Sequence, residues 1–182
     1  MARVLIVDDE QSIRRTLGMF LERDGHEVAT AEDGDHAKAL FEASSWDVVV
    51  TDIIMPGAGG VDLLQQVRER DPTTQVVLIT GEPSVDTASA AVRLGAFDYL
   101  PKPVSRGEIC RVVGAAAAHK GLQDNNRRLS LENEAYRVRL EALLADRSLE
   151  LAHEVDSHGA TLENLRRALG AIIEAMARTV EM

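Results

Sequence analysis

The chain has 182 residues, 45% of them apolar and 3% aromatic. That is enough for one ordinary core, with too few aromatics for a lectin, an antibody-like sandwich or a base-stacking RNA binder. The formal net charge of −10 divides into −7 over residues 1–120 and −3 over 121–182, so neither part has the basic excess that binding a nucleic-acid backbone or a membrane surface requires.

The first predicted strand, Val4–Val7, runs into Asp8 and Asp9. It is too short, and too acidic just after, for a signal peptide. A helix-period segment over about 12–24 comes next, then a strand at Val28–Ala31 and a helix over 34–43. The third strand, Val48–Thr51, leads into Asp52. Met55 to Gly60 reads as a turn whose glycines do not have the spacing of a nucleotide-binding loop. Gly59 and Gly60 are expected to take positive φ there, ahead of a helix over 61–70. Strand Val76–Thr80, a helix over 84–94 and strand Phe97–Leu100 complete the alternation. Lys102 stands just beyond, and a last helix begins near Ser105.

Strands and helices in strict alternation predict a parallel sheet with helices on both faces. The first, third and fourth strands are nearly unbroken Val, Ile and Leu, as central parallel strands are. A ligand site in such a sheet lies beyond the carboxyl ends of the strands. Asp8, Asp9, Asp52, Thr80 and Lys102 all fall on that rim. One Asp or Thr there could be an ordinary helix cap; five chemistry-bearing residues at successive strand ends describe a site. Three carboxylates in one small cavity repel one another unless a cation intervenes, and hard oxygen ligands suit Mg²⁺. Cys110 is the single cysteine; it allows no intrachain disulfide, reads as a small buried helix residue and fits a reducing compartment. No stretch approaches the ~20 apolar residues of a membrane span, and a cytoplasmic protein is expected.

The rim residues stand in Val7-Asp8-Asp9-Glu10, Thr51-Asp52-Ile53-Ile54-Met55-Pro56-Gly57, Ile79-Thr80-Gly81 and Phe97-Asp98-Tyr99-Leu100-Pro101-Lys102-Pro103. Over about residues 2–120 this pattern resembles the receiver domain of two-component response regulators. The resemblance implies a flavodoxin-like, five-stranded sheet of order 2-1-3-4-5. It makes Asp52 the phosphoacceptor, served by a cognate sensor histidine kinase. It implies Mg²⁺ held by Asp9, Asp52 and the Ile54 carbonyl, with Asp8 acting through a water. Lys102 and Thr80 would contact the phosphoryl oxygens, Thr80 and Tyr99 would form a switch pair, and the Lys102–Pro103 bond would be cis. Such a chain is a signalling module, with no chemistry beyond gaining and losing phosphate. Ile54 has no polar group to orient water, so slow loss of the phosphate is expected, with Glu82 the group that could compensate.

Residues 121–182 read as a helical linker. Leu122, Leu129, Tyr136 and Leu143 fall at d positions of a heptad, with Asn126, Asn133 and Leu140 at a. Asn at a favours a parallel, in-register pair, so a homodimer through this segment is expected. A second register, from Ser148 through Leu151, Val155, His158, Leu162, Leu165 and Leu169 to Ile172 and Met176, is offset by one residue. A break is expected near 157–160, at Gly159. The final segment resembles the helix leading into an HD-GYP cyclic di-GMP phosphodiesterase domain, which implies a regulator truncated before its catalytic domain. The alternatives are the receiver and linker of an AAA+ enhancer-binding transcription activator, or an adaptor with no output domain.

Overall fold

The computed structural model describes residues 1–57 and 59–180, with side chains as far as 171 in the last helix. Ten elements alternate: β1 Arg3–Val7, α1 Gln11–Arg23, β2 Glu27–Ala31, α2 Gly34–Ala43, β3 Val48–Asp52, α3 Gly60–Arg70, β4 Gln75–Thr80, α4 Val85–Arg93, β5 Asp98–Pro101 and α5 Arg106–Val180. All four strand pairings are parallel, and the sheet order is β2-β1-β3-β4-β5, the flavodoxin-like order expected from the sequence.

Side chains alternate across each strand, so one hydrophobic run feeds two cores. Leu5, Val7, Val49, Val76 and Leu78 point to the face covered by Phe41 of α2, Leu63, Leu64 and Val67 of α3, and Ala91 of α4. Val4, Ile6, Val48, Val50, Val77 and Ile79 point to the other, covered by Leu17 and Leu21 of α1 and by Ile109, Val112, Val113 and Ala116 of α5. Strands β3 and β4 are buried along their whole length, whereas β2 and β5 are the half-exposed edges. Burial on both faces is what holds the carboxyl ends of β1, β3 and β4 in a fixed relation.

Two expectations are corrected. Gly59 and Gly60 do not have positive φ; Gly25, Gly57 and Gly95 do. Gly60 is needed for close approach instead, since a Cβ there would lie 2.0 Å from the Asp52 carbonyl oxygen. The helix is continuous through 157–160; one glycine costs about 1 kcal/mol in a helix, too little to interrupt a long one. The first compact unit runs from Met1 to Arg128. Lys120 Nζ bonds Asp71 Oδ2 at 3.0 Å, Gln75 bonds Gln123 at 3.1 Å and Thr73 Oγ1 donates to Asp124 at 2.9 Å. These polar contacts attach one more turn of α5 to the α3–β4 loop. The second unit begins at Leu129. No helix among the described residues is long and apolar enough to cross a membrane.

Candidate functional site

β1 and β3 are neighbours in register, Val7 opposite Thr51. Their next residues therefore arrive side by side at the carboxyl rim of the sheet. Carboxylate oxygens of Asp8, Asp9 and Asp52 lie within 4.8 Å of one another. Asp8 and Asp52 are buried and Asp9 is exposed at the mouth. β4 and β5 bring the rest. Thr80, buried at the end of β4, accepts the Lys102 backbone N–H on its carbonyl at 2.7 Å. The Lys102 side chain reaches back to the acids, with Nζ 2.5 Å from Asp52 Oδ2 and 2.8 Å from Asp8 Oδ2. The Lys102–Pro103 bond is cis.

The electrostatics come from burial. Glu10 N–H donates to Asp8 Oδ1 at 2.9 Å, but Asp8 Oδ2 is buried with no hydrogen-bond partner. Its contact with Lys102 is an ion pair at an angle outside hydrogen-bonding geometry. Burial raises the Asp8 pKa, and the Lys102 ammonium offsets only part of that rise. Burial pulls the Lys102 pKa down, yet its contacts with Asp52 and Asp8 outweigh burial and leave it raised. The residues fit a hard divalent cation: three converging carboxylates, one buried oxygen lacking a donor, and a single ammonium bridging two of the acids. Asp52 Oδ1 accepts the Ile54 N–H at 3.1 Å, which orients the carboxylate. The Ile54 side chain is 55% exposed and puts hydrocarbon, not a polar atom, two residues after Asp52.

The expected switch residues are tied to the β4–α4 segment. Thr80 Oγ1 accepts the Glu82 N–H at 3.1 Å, and the Tyr99 hydroxyl is 2.9 Å from Thr87 Oγ1 of α4. The expected dimer residues Leu122, Asn126, Leu129, Asn133, Tyr136, Leu140 and Leu143 are all exposed on α5, as are those of the second register as far as Leu169; Ile172 and Met176 lie outside the described side chains. Cys110 is free and half-buried.

Sequence reasoning missed four contributors to the site. Arg14 Nη1 donates to the carbonyls of Asp8 and Asp9 at 2.6 and 2.9 Å and so anchors the acidic loop to α1. Glu10 Oε1 lies 3.7 Å from Lys102 Nζ, a third carboxylate on the same ammonium. Gly60 permits α3 to start against the Asp52 backbone. Thr87 holds Tyr99. Only Glu10 had a linear signal, its place directly after the acid pair.

The chain matches the family model described as response regulator receiver domain over residues 4–114. It is 36% identical over 172 residues to the alginate biosynthesis transcriptional regulatory protein AlgB of Pseudomonas aeruginosa, covering 94% of this chain and 33% of that protein. It is 37% identical over 128 residues to the DNA-binding transcriptional regulator NtrC of Salmonella typhimurium, covering 70% of this chain and 27% of that protein. Among solved structures, a response regulator receiver domain protein from Clostridium thermocellum superposes with a TM-score of 0.64 at 35% identity, over 68% of this chain and 99% of that one. The chain thus spans about a quarter to a third of the length of these two curated relatives. Neither is an HD-GYP protein, so the output domain expected from the last helix finds no support in them. Helical linkers share composition too readily to identify the domain attached to them.

Proposed function

Because the chain belongs to the response regulator receiver domain family, we propose that Asp52 accepts a phosphoryl group from the phosphohistidine of a sensor kinase. The observation that carries this reading is the Lys102 ammonium lying against both Asp52 and Asp8 at the end of the central strands. Transfer of this kind is chiefly positioning and charge neutralisation. An Asp52 carboxylate oxygen attacks phosphorus, the P–N bond breaks, and the imidazole nitrogen keeps the electron pair. Lys102 turns from its carboxylate partners toward the new phosphoryl oxygens, and the Thr80 hydroxyl leaves the Glu82 N–H to donate to one of them. Tyr99 then moves into the space Thr80 gives up, a two-state element biased by local charge. Asp9, Asp52 and the Ile54 carbonyl would hold Mg²⁺, with Asp8 acting through a water; when bound, the ion supplies positive charge against the phosphoryl oxygens.

Intact-mass spectrometry with acetyl phosphate and Mg²⁺ tests the assignment. The wild type is expected to gain one phosphate that Asp52→Asn does not. A full adduct on Asp52→Asn overturns it.

The output is of the transcriptional kind. AlgB and NtrC are both named transcriptional regulators, which supports the transcription-activator reading over the cyclic di-GMP phosphodiesterase, and the AlgB likeness extends through 94% of this chain, linker included. The intact gene tests this: a coding region for an ATPase module supports the reading and one for a metal phosphodiesterase overturns it. The linker pairs two copies in parallel. On α5 the buried residues Val113, Ala116 and Lys120 face the receiver core and its loops. At about 100° per residue, Leu122 lies roughly 120–180° round the helix from them, which leaves the seam open to a second chain.

A further inference from the structure

Both hydroxyls of the expected switch are occupied, and the partner of one has no role in phosphoryl transfer. Thr87 is the third residue of α4. Ser84, the N-cap, accepts the Thr87 N–H on Oγ at 3.1 Å, and Thr87 Oγ1 reaches back to the Ser84 N–H at 3.3 Å. This capping box fixes the Thr87 rotamer. Thr87 Oγ1 also lies within hydrogen-bonding distance of the Ser84 carbonyl at 3.1 Å and of Ser84 Oγ at 2.9 Å. The Tyr99 hydroxyl lies 2.9 Å from the same oxygen, and either of the two hydroxyls can be the donor in that bond.

We propose that Thr87 is a positioning residue of the switch: its hydroxyl, locked by the helix cap, holds the Tyr99 ring against α4 and sets how rarely the unphosphorylated protein visits the active arrangement. The inference rests on the Thr80–Tyr99 reading and adds a restoring contact to it. Tyr99 must give up this bond to turn inward, so the bond stabilises the resting state alone. The net worth of one hydrogen bond corresponds to roughly a two- to tenfold bias in such an equilibrium. Ser84 carries the cap and touches Thr87 Oγ1, at 2.9 Å, so removing its side chain loosens α4 while leaving the Thr87 hydroxyl to bond Tyr99.

The chain has two tyrosines, Tyr99 and Tyr136, so ¹⁹F NMR of protein labelled with 3-fluorotyrosine reports the Tyr99 ring directly, with Tyr136→Phe assigning the signals. In protein without phosphodonor, Thr87→Val is expected to move the Tyr99 signal from its wild-type position, toward that reached by wild type with Mg²⁺ and beryllofluoride. Beryllofluoride is expected to bind Thr87→Val about two- to tenfold more tightly than wild type. Thr87→Ser keeps the hydroxyl and should restore wild-type values in both measurements, and Ser84→Ala, which loosens the cap but keeps the Thr87 hydroxyl, should displace the Tyr99 signal less than Thr87→Val does. An unmoved Tyr99 signal in Thr87→Val, or an equal displacement in Ser84→Ala, overturns the proposal. Failure of wild type to take up beryllofluoride would count against the Asp52 site, while the comparison of uncomplexed Thr87→Val with wild type would still decide on the latch.

Discussion

Lys102→Met removes the ammonium that bridges the buried acids Asp8 and Asp52 while roughly keeping the side-chain volume. Its side chain is 13% exposed, against 0% for Asp8 and 8% for Asp52, with contacts of 2.8 and 2.5 Å. Taking one partner from a buried ion pair costs about 3–5 kcal/mol. The low end, ~3 kcal/mol, is expected here, because Asp8 can take up a proton instead of remaining an unpaired charge. For a domain of this size that is a fall in Tm of about 10 °C. The pH dependence has a definite sign. Asp8 has a raised pKa in the folded protein, so its ionisation opposes folding above the ordinary carboxylate range, and acid relieves that opposition. The Lys102 pKa is also raised, so the stability it adds is complete below the ordinary lysine value and is lost only at alkaline pH. The gap between wild type and Lys102→Met should therefore be widest near pH 7–9 and narrow toward pH 4–5. Urea unfolding is readable through Trp46, the single tryptophan, which is 4% exposed in the receiver core. The measurement is made in EDTA at pH 7.5 and pH 5, then with excess MgCl₂. A cation at about 100 times its Kd adds ~2.7 kcal/mol, and without the competing ammonium it should bind the variant more tightly and close most of the gap. Equal stability of the two proteins at pH 7.5 in EDTA would refute the reasoning.

Asp71 has its pKa lowered to about 2, because bonds from Thr73, Lys120 and Thr74 outweigh the effect of burial. The stability it adds is present above about pH 4 and lost as pH falls toward 2; discounted for its exposure it is about 1 kcal/mol. Urea midpoints of Asp71→Asn should lie below wild type at pH 7 and converge with it near pH 2; a constant offset would exclude this account. Ile54→Asn offers a hydrogen bond to an attacking water, and one such bond is worth roughly fivefold in rate. Its phosphate lifetime should shorten by that factor, and an unchanged lifetime would remove the shielding argument. Light scattering at tens of micromolar should report a dimer, and Asn126→Cys should cross-link to its mate in a Cys110→Ser background. Leu129→Asp, a charge in the seam, should weaken the dimer by about tenfold or more, and a wild-type monomer would end the pairing model.

The alternation of Val4–Val7, Val48–Thr51 and Val76–Thr80 with helix-period segments was sufficient to place a parallel sheet, because unbroken Val, Ile and Leu runs of that length are stable only when both faces are covered. The residues just past those runs then had to meet at one rim, so Asp8, Asp9, Asp52, Thr80 and Lys102 were legible as a set. Other features could not be read from spacing, since they depend on the direction a side chain takes once the elements are packed. Arg14 bonds backbone carbonyls six and five residues before it, Tyr99 meets Thr87 on a different element, and Gly60 is required by the path of the Asp52 backbone, not by its own φ. α5 has no composition change at 120 to mark where its contacts with the first compact unit end. What holds its next turn is a polar cluster with Asp71, Thr73 and Gln75, whose members become neighbours only once β4 has been laid into the sheet.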